Sequence, residues 1–155
     1  MDIREANPPD YPAILDLHIN SIETLCSGYY SKECISEWTS TRKIEYYKNI
    51  PGVEILIVGE EHTKIVGFCR LDINEHRLTG LFVAPECTRK NYGKQLLNKM
   101  EDIARSNGIK ELFLYSTLNS IEFYHHMGYE GTVKKNHKLK SGIRLRSVKM
   151  SKKLI

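Results

Sequence analysis

The segment Thr88–Gly93, with the sequence Thr-Arg-Lys-Asn-Tyr-Gly, carries residue types that suit the binding of a phosphate group. Helix-spaced apolar residues follow it and predict a helix from Tyr92 onward: Leu96, Leu97, Met100, Ile103 and Ala104. The N-terminus of a helix has free backbone N–H groups and the positive end of the dipole. Arg89, Lys90 and Lys94 oppose that dipole unless an anion lies among them. We therefore predict phosphate contact here, with a solvated basic surface as the alternative.

An apolar strand leads into this loop and a glycine ends the helix after it. Pro85 ends the strand, because proline has no N–H for a sheet ladder. Asn107 and Gly108 end the helix, since glycine adopts the left-handed cap at least cost. Asn91 suits the turn because asparagine adopts a positive φ more readily than most other residues. The unit is a strand, a basic turn and a helix.

Apolar periodicity and turn residues predict the remaining elements, with an N-cap at Asp10 for the first helix, a second cap at Ser31 and a turn at Pro51-Gly52. The order is one strand, two helices, three antiparallel strands, a helix, a strand, a short helix and a terminal hairpin. The predicted strands cover residues 3–6, 53–59, 65–72, 79–83, 111–115, 129–138 and 144–152. This order predicts an α+β fold with one mixed sheet.

Composition limits the classes of protein to which the chain can belong. Its 155 residues suit one domain, so we expect a single domain over residues 1–155. The net charge of +4 is a mild surplus, and the basic tail after Lys134 lacks interleaved aromatic residues, so we expect a solvated hairpin and no nucleic-acid partner. The four cysteines show no Cys-x-x-Cys spacing, which favours a reducing, cytoplasmic location without a metal site. No apolar run is long enough to predict a membrane span.

Two segments resemble motifs of the GNAT superfamily of N-acetyltransferases. Thr88, Asn91 and Gly93 occupy the positions of its pattern Gln/Arg-x-x-Gly-x-Gly/Ala, and the final glycine is kept. About 30 residues later, Phe123-Tyr124 and Gly128 match the pattern Ala-x-x-Phe-Tyr-x-x-x-Gly-Phe, which is the more specific of the two matches. The predicted order of elements is also that of this superfamily. The resemblance implies a mixed, mostly antiparallel sheet of six to seven strands with helices on both faces.

The resemblance also implies acetyl-CoA as co-substrate and a set of residues that contact it. Tyr124 matches the general acid that protonates the leaving thiolate, with ordinary core packing as the alternative. Asn119 matches the residue that hydrogen-bonds the pantetheine arm, and a plain helix N-cap is the alternative. The fourth strand would supply the backbone donor for the oxyanion. The implied cofactor-binding residues are Leu81, Phe82, Val83, Thr88, Arg89, Lys90, Asn91, Tyr92, Gly93, Lys94 and Asn119.

The acceptor side is less defined by the sequence. Tyr30, followed by Ser31 and a downstream Trp38, resembles a bacterial branch of the superfamily in which this helical region faces the acceptor groove. Tyr30 and Trp38 are therefore candidate acceptor-binding residues, and aromatic packing between helices is the alternative. No motif identifies the general base; a water relay is one candidate, and four residues are the others: Glu75, His76, Glu37 and His18.

These residues lead to two principal hypotheses. In the first, the protein transfers an acetyl group from acetyl-CoA to a primary amine of a small molecule or a peptide, by direct attack in a ternary complex. In the second, it is a CoA-binding sensor without transferase activity, because Thr88 and Asn91 depart from the motif. The resemblance leaves a homodimer open, and the sequence does not name the acceptor.

Overall fold

Seven strands form one sheet in the computed structural model, which describes residues 1–48 and 52–155. Their order across the sheet is β1-β2-β3-β4-β5-β7-β6, and only the β4–β5 pair is parallel. This arrangement confirms the predicted mixed, mostly antiparallel sheet. The strands are β1 (Asp2–Glu5), β2 (Glu54–Glu61), β3 (Lys64–Asp72), β4 (Arg77–Val83), β5 (Glu111–Thr117), β6 (Glu130–Lys138) and β7 (Arg144–Lys153).

Helices cover both faces of the sheet, as predicted. One face carries α1 (Tyr11–Leu25) and α2 (Lys32–Ser40), and the other carries α3 (Tyr92–Ser106) and α4 (Ile121–His126). The helix α2 begins at the predicted cap, because the Ser31 hydroxyl accepts a hydrogen bond from the Cys34 N–H at 3.1 Å. Gly108 and Gly128 end α3 and α4 with φ of +76° and +88°, the left-handed conformation that glycine adopts without strain.

Each face has its own buried core, and the alternation of side chains along the strands separates the two. On the α3 face, Leu96 and Met100 pack with Leu71 and Leu114, and all four are buried. On the α1 face, Ile14 packs in a second cluster that contains Phe68. Full burial of one such aliphatic side chain contributes about 1.5–3 kcal/mol. The two cores therefore hold α1 and α3 firmly against opposite sides of the same strands.

The strands β4 and β5 separate after a short region of pairing. Their paired residues are Arg77 with Phe113 and Leu78 with Leu114. Immediately beyond, the β3–β4 register shifts around Thr79, which is the signature of a β-bulge. A bulge bends its strand, so the rest of β4 diverges from β5 and a gap opens inside the sheet.

The structure differs from the sequence-based expectations at two helix starts. Asp10 precedes α1 without capping it; its carboxylate instead accepts a hydrogen bond from the Asn7 N–H and pairs with Arg4, both at 2.7 Å. Asn119 lies in a short 3₁₀ helix, Leu118–Ser120, so it is not the N-cap of α4. Pro51, of the predicted turn, lies outside the described residues. In the part of the chain that the structure describes, no helix is both long and apolar enough to cross a membrane.

Candidate active site

The gap between β4 and β5 is part of a cavity of about 870 Å³. Its wall is built from α1, α2, the middle of β4, the start of α3, the end of β5, α4 and the β6–β7 hairpin. Of the predicted cofactor-binding, acceptor-binding and general-acid residues, Lys90 is the one that does not line this cavity. Those that do are Tyr30, Trp38, Leu81, Phe82, Val83, Thr88, Arg89, Asn91, Tyr92, Gly93, Lys94, Asn119 and Tyr124.

The backbone of β4 presents hydrogen-bond donors to the gap. The Ala84 N–H donates to the Val66 carbonyl of β3 at 2.9 Å, so alternate residues of β4 point their polar groups toward β3. Leu81 and Val83 are the intervening residues, and their N–H groups face away from β3. The Val83 carbonyl accordingly accepts a hydrogen bond from the Ser21 hydroxyl of α1 at 3.2 Å. Two backbone N–H groups therefore point toward the region where the strands have separated.

The loop before α3 adopts a strained conformation at the end of this gap. Arg89 and Asn91 have φ of +66° and +62°, which is uncommon for residues other than glycine. The Thr88 hydroxyl donates to the Pro85 carbonyl at 3.1 Å, so this side chain stabilises the turn. Arg89 and Lys94 are exposed and line the cavity beside the first N–H groups of α3. This arrangement forms a cationic, N–H-rich site that suits a phosphate group.

Two neighbouring residues fix the position of the loop. Tyr92 is buried, and its hydroxyl donates to the Glu61 carboxylate. This hydrogen bond raises the pKa of Tyr92 to about 12. It also connects the start of α3 to the β2–β3 hairpin. Lys90 turns toward the same carboxylate, at 3.8 Å, and away from the cavity. Lys90 therefore does not line the cavity in this structure, and its contact with a phosphate stays a prediction. Gly93 lies close to Phe123, and a Cβ placed there would be 3.5 Å from the ring.

Tyr124 and Asn119 line the opposite side of the gap. The Tyr124 side chain is 7% exposed, and among the described residues its hydroxyl has no hydrogen-bond partner. Burial, followed by the nearby Cys69, raises the pKa of Tyr124, which keeps the proton on the oxygen. The Asn119 carbonyl oxygen accepts a bond from the Cys26 thiol at 3.4 Å, and burial raises the pKa of that thiol to about 12. Tyr124 can thus donate a proton, whereas Cys26 is not a nucleophile at neutral pH.

A sequence model of the acetyltransferase (GNAT) family matches residues 19–129, which is more than half of the chain. The chain is also 30% identical, over 142 residues, to a spermidine N(1)-acetyltransferase from Thermoplasma acidophilum, with 84% of this chain and 88% of the relative covered. The chain belongs to the GNAT family of acetyltransferases. It is an N-acetyltransferase with acetyl-CoA as its co-substrate.

Solved structures have the same fold as this acetyltransferase. An N-acetyltransferase from Rhodopseudomonas palustris superposes with a TM-score of 0.90 at 23% identity, covering 98% of this chain and 94% of the other. The PaiA N-acetyltransferase from Thermoplasma acidophilum, solved in complex with coenzyme A, superposes with a TM-score of 0.71 at 24% identity and covers 98% of both chains. At these identities the likeness establishes the fold.

The two predicted acceptor-binding residues of the acetyltransferase lie together on the cavity wall. The Tyr30 and Trp38 rings meet edge to face with centroids 5.7 Å apart. The Tyr30 hydroxyl donates to the Arg146 carbonyl at 2.5 Å and accepts from the Leu118 N–H at 3.0 Å, so it joins the α1–α2 connection to two other walls. The indole N–H of Trp38 is buried and, within the described residues, has no partner. The Tyr30 hydroxyl is thus used in structural hydrogen bonds, whereas the indole N–H of Trp38 is an unpaired donor.

The structure brings one of the four candidate bases to the cavity of the acetyltransferase. His18 lines it, whereas Glu75, His76 and Glu37 do not. Glu75 pairs with Arg77 at 3.6 Å, and the Glu37 carboxylate accepts two hydrogen bonds from Ser141 at the tip of the β6–β7 hairpin. Both carboxylates therefore have structural partners.

His18 is present at the cavity as a neutral imidazole. Its Nδ1 lies 2.8 Å from the Tyr47 hydroxyl, and its ring is 4.3 Å from the Phe82 ring between centroids. Burial, and then the charges of Arg42 and Arg70, lower the pKa of His18 to about 3. An imidazole with so low a pKa is a weak proton acceptor.

Several residues of the cavity wall were not predicted from the sequence. Arg42, Tyr46, Arg77, Tyr115 and Lys135 line it as well. The sequence predicts a solvated hairpin for the tail that contains Lys135. The position of Lys135 on the cavity wall depends on strand pairing, because Lys135 lies opposite Ser147 and Ser147 lies opposite Thr117 of β5. No local pattern in the sequence marks this proximity.

Proposed function

We propose that this acetyltransferase acts on a primary amine of a small molecule or a peptide, which attacks acetyl-CoA directly in a ternary complex. One observation carries the proposal: a single cavity contains the free β4 backbone donors, the Tyr124 hydroxyl and the cationic loop before α3. An acyl transfer needs these three elements, for the oxyanion, the leaving thiolate and the cofactor phosphates. The cavity also has room for a second substrate beside these three elements.

Each group has a role that follows from its position. Acetyl-CoA supplies an activated thioester. Arg89, Lys94 and the first N–H groups of α3 bind its pyrophosphate, and Asn119 binds its pantetheine arm. The N–H groups of Leu81 and Val83 stabilise the oxyanion that forms when the amine adds to the carbonyl carbon. When the C–S bond breaks, the Tyr124 hydroxyl donates its proton to the thiolate, and the proton that the attacking nitrogen releases restores the Tyr124 hydroxyl.

The amine must be neutral before it attacks, and the wall favours that state. Nearby positive charges lower the pKa of an ammonium group, and Arg77 of β4 provides such a charge on the cavity wall. His18 has too low a pKa to accept the proton efficiently. We therefore assign the removal of this proton to water in the cavity rather than to a side chain.

Acetyl transfer and cofactor sensing are separated by one experiment. The protein is incubated with acetyl-CoA and a panel of primary amines, and acetylated products are detected by mass spectrometry. We expect an increase in the melting temperature with acetyl-CoA, together with at least one acetylated amine. Stabilisation by acetyl-CoA without any acetylated product would favour the sensor hypothesis.

Spermidine belongs in this panel, because the relative from Thermoplasma acidophilum is a spermidine acetyltransferase.

We further propose that residues 1–155 act as one domain in the cytoplasm. A single sheet that contains all seven described strands supports the first point, and four buried, free thiols are consistent with the second.

A further inference from the structure

The cavity has two basic regions, and they lie on opposite faces of the sheet. Leu81 and Val83 point toward α3, where Arg89 and Lys94 form the phosphate site. Side chains alternate along a strand, so Tyr115 lies on the α1 face, opposite to its buried neighbour Leu114. We define the acceptor wall as six of the cavity residues on this α1 face: Trp38, Arg42, Tyr46, Arg77, Tyr115 and Lys135.

Positive charge on the acceptor wall is not balanced by carboxylates in the cavity. Among residues 1–48 and 52–155, no aspartate or glutamate lines the cavity, and residues 49–51 are Asn, Ile and Pro. Arg77 has Glu75 at 3.6 Å, outside the wall. Within the same described residues, Arg42 and Lys135 have no carboxylate within 4.0 Å. Two cations of the wall therefore lack an internal counter-ion.

Three buried N–H donors on the wall also have no partner in the described structure. The Trp38 side chain is 5% exposed, and its indole N–H has no hydrogen bond in the described structure. The same holds for the Nε–H groups of Arg42 and Arg77. Buried donors are nearly always satisfied in folded proteins, so three unpaired donors beside a cation without a counter-ion indicate a missing acceptor group.

Two of the three aromatic rings of the wall, those of Tyr46 and Tyr115, are already in contact with cations. The guanidinium groups of Arg42 and Arg70 lie 4.5 and 4.6 Å from the centroid of the Tyr46 ring. The Arg77 guanidinium lies 4.8 Å from the Tyr115 centroid. Rings that could otherwise attract an ammonium group by a cation–π interaction are thus engaged. A second positive charge on the acceptor would meet like charges here.

We propose that the acceptor is an amine that carries an oxyanion at its far end, a carboxylate or a phosphate, held by Arg42 and the Trp38 N–H. Arginine binds such groups through a planar fork of donors. The inference rests on the proposed function, since it names the class of amine. It also predicts that this chain prefers a different acceptor from its relative, a spermidine acetyltransferase whose substrate is a polycation.

Matched acceptors test the charge preference. The acetylation rate is measured for δ-aminovalerate and for cadaverine. Cadaverine has the same length as δ-aminovalerate but ends in a second ammonium group. Aminopropylphosphonate is included as an amine with a phosphate-like oxyanion, and spermidine is included as a polycation. We expect kcat/KM for an anionic amine to exceed that for the diamine at least tenfold. Equal or faster acetylation of cadaverine or spermidine would overturn the inference while leaving the proposed function intact.

A binding measurement decides the question without turnover. The melting temperature of the CoA-saturated protein is measured with each amine. We expect a rise with the anionic amines and none with cadaverine, and an equal response to both would contradict the inference. A rise without any acetylated product would retain the ligand class and remove the transferase function.

An arginine variant assigns the preference to the wall. In Arg42→Gln we expect the KM for the preferred anionic amine to rise at least tenfold, with little change in kcat or in the KM for acetyl-CoA. Arg144→Gln is the matched control, because Arg144 is an exposed arginine of β7 that does not line the cavity. An unchanged acceptor KM in Arg42→Gln would contradict the assignment.

Discussion

Tyr124 and Tyr129 are neighbouring buried tyrosines whose hydroxyls have different surroundings. Their ring centroids lie 5.7 Å apart in the same core cluster. The Tyr129 hydroxyl donates to the buried Glu101 carboxylate at 3.1 Å, and Glu101 also pairs with Lys152 at 2.9 Å. The Tyr124 hydroxyl instead lies at the cavity. One hydroxyl stabilises the fold, and the other is available for chemistry.

This difference predicts opposite effects for two matched variants. Tyr124→Phe should lower kcat by about 100-fold or more, because a positioned general acid contributes that much, with little change in acetyl-CoA affinity or stability. Tyr129→Phe should leave kcat near the wild-type value but lower the free energy of unfolding by about 1–3 kcal/mol, since a buried carboxylate loses a donor. Steady-state kinetics and denaturant unfolding measure the two effects. Wild-type kcat in Tyr124→Phe would remove Tyr124 from the mechanism.

The start of α3 combines a tight turn with close packing, and different residues are responsible for each. The left-handed positions of the turn are Arg89 and Asn91, whereas Gly93 already lies inside the helix without a positive φ. The need for a small residue at Gly93 is therefore steric. A Cβ there would make ordinary contacts, at 3.5 Å to Phe123 and 3.7 Å to Val83.

A graded pair of substitutions at Gly93 tests this view. Gly93→Ala should bind acetyl-CoA within about threefold of wild type and raise stability slightly, because alanine has a helix propensity about 1 kcal/mol better than glycine. Gly93→Val adds two further methyl groups to that Cβ, which already lies at contact distance from Phe123 and Val83. This variant should therefore weaken acetyl-CoA binding at least tenfold. Isothermal titration with acetyl-CoA measures both affinities. Normal binding by Gly93→Val would show that the loop does not hold the cofactor closely.

Local sequence patterns predicted most elements, and long-range pairing explains what they missed. The helix from Tyr92 and its end at Gly108 follow from periodicity and from glycine. The sequence predicts Lys90 at the phosphate site because its charge is adjacent in sequence, whereas in the structure its ammonium group lies 3.8 Å from the Glu61 carboxylate. Asp10 has the residue type of an N-cap, yet Arg4 on β1 competes for its carboxylate. Each of these differences comes from a partner that sequence spacing does not reveal.

At the scale of the molecule, the two halves of the site differed in how far sequence could predict them. The cofactor half comes mainly from one stretch of sequence, residues 81–94, and the structure places its predicted residues on the cavity wall, apart from Lys90. The acceptor wall is assembled from Arg42 after α2, Arg77 on β4 and Lys135 on β6. Its excess of positive charge appears only once the fold has brought these elements together.

Burial of His18 couples this fold to pH. The pKa of His18 is lowered to about 3, whereas an unfolded histidine titrates near 6.5, so the unfolded chain binds a proton that the folded one rejects. Stability is therefore complete above about pH 6.5 and is lost as the pH falls toward 3. Between pH 6 and 5 we expect a loss of about 1 kcal/mol. Urea unfolding at these two pH values should show this slope in the wild type and a flatter one in His18→Gln, and a flat wild-type profile would contradict it.

The short pairing between β4 and β5 has a mechanical consequence. Two residue pairs join the four-stranded half of the sheet to the three-stranded half in the described structure, so the seam between the halves holds few backbone hydrogen bonds. A molecule in the gap contacts both halves, and its free energy of binding opposes their separation. At a free concentration 100 times its Kd, such a ligand adds about 2.7 kcal/mol to the free energy of unfolding. The resistance of this sheet to splitting therefore depends on the supply of acetyl-CoA around it.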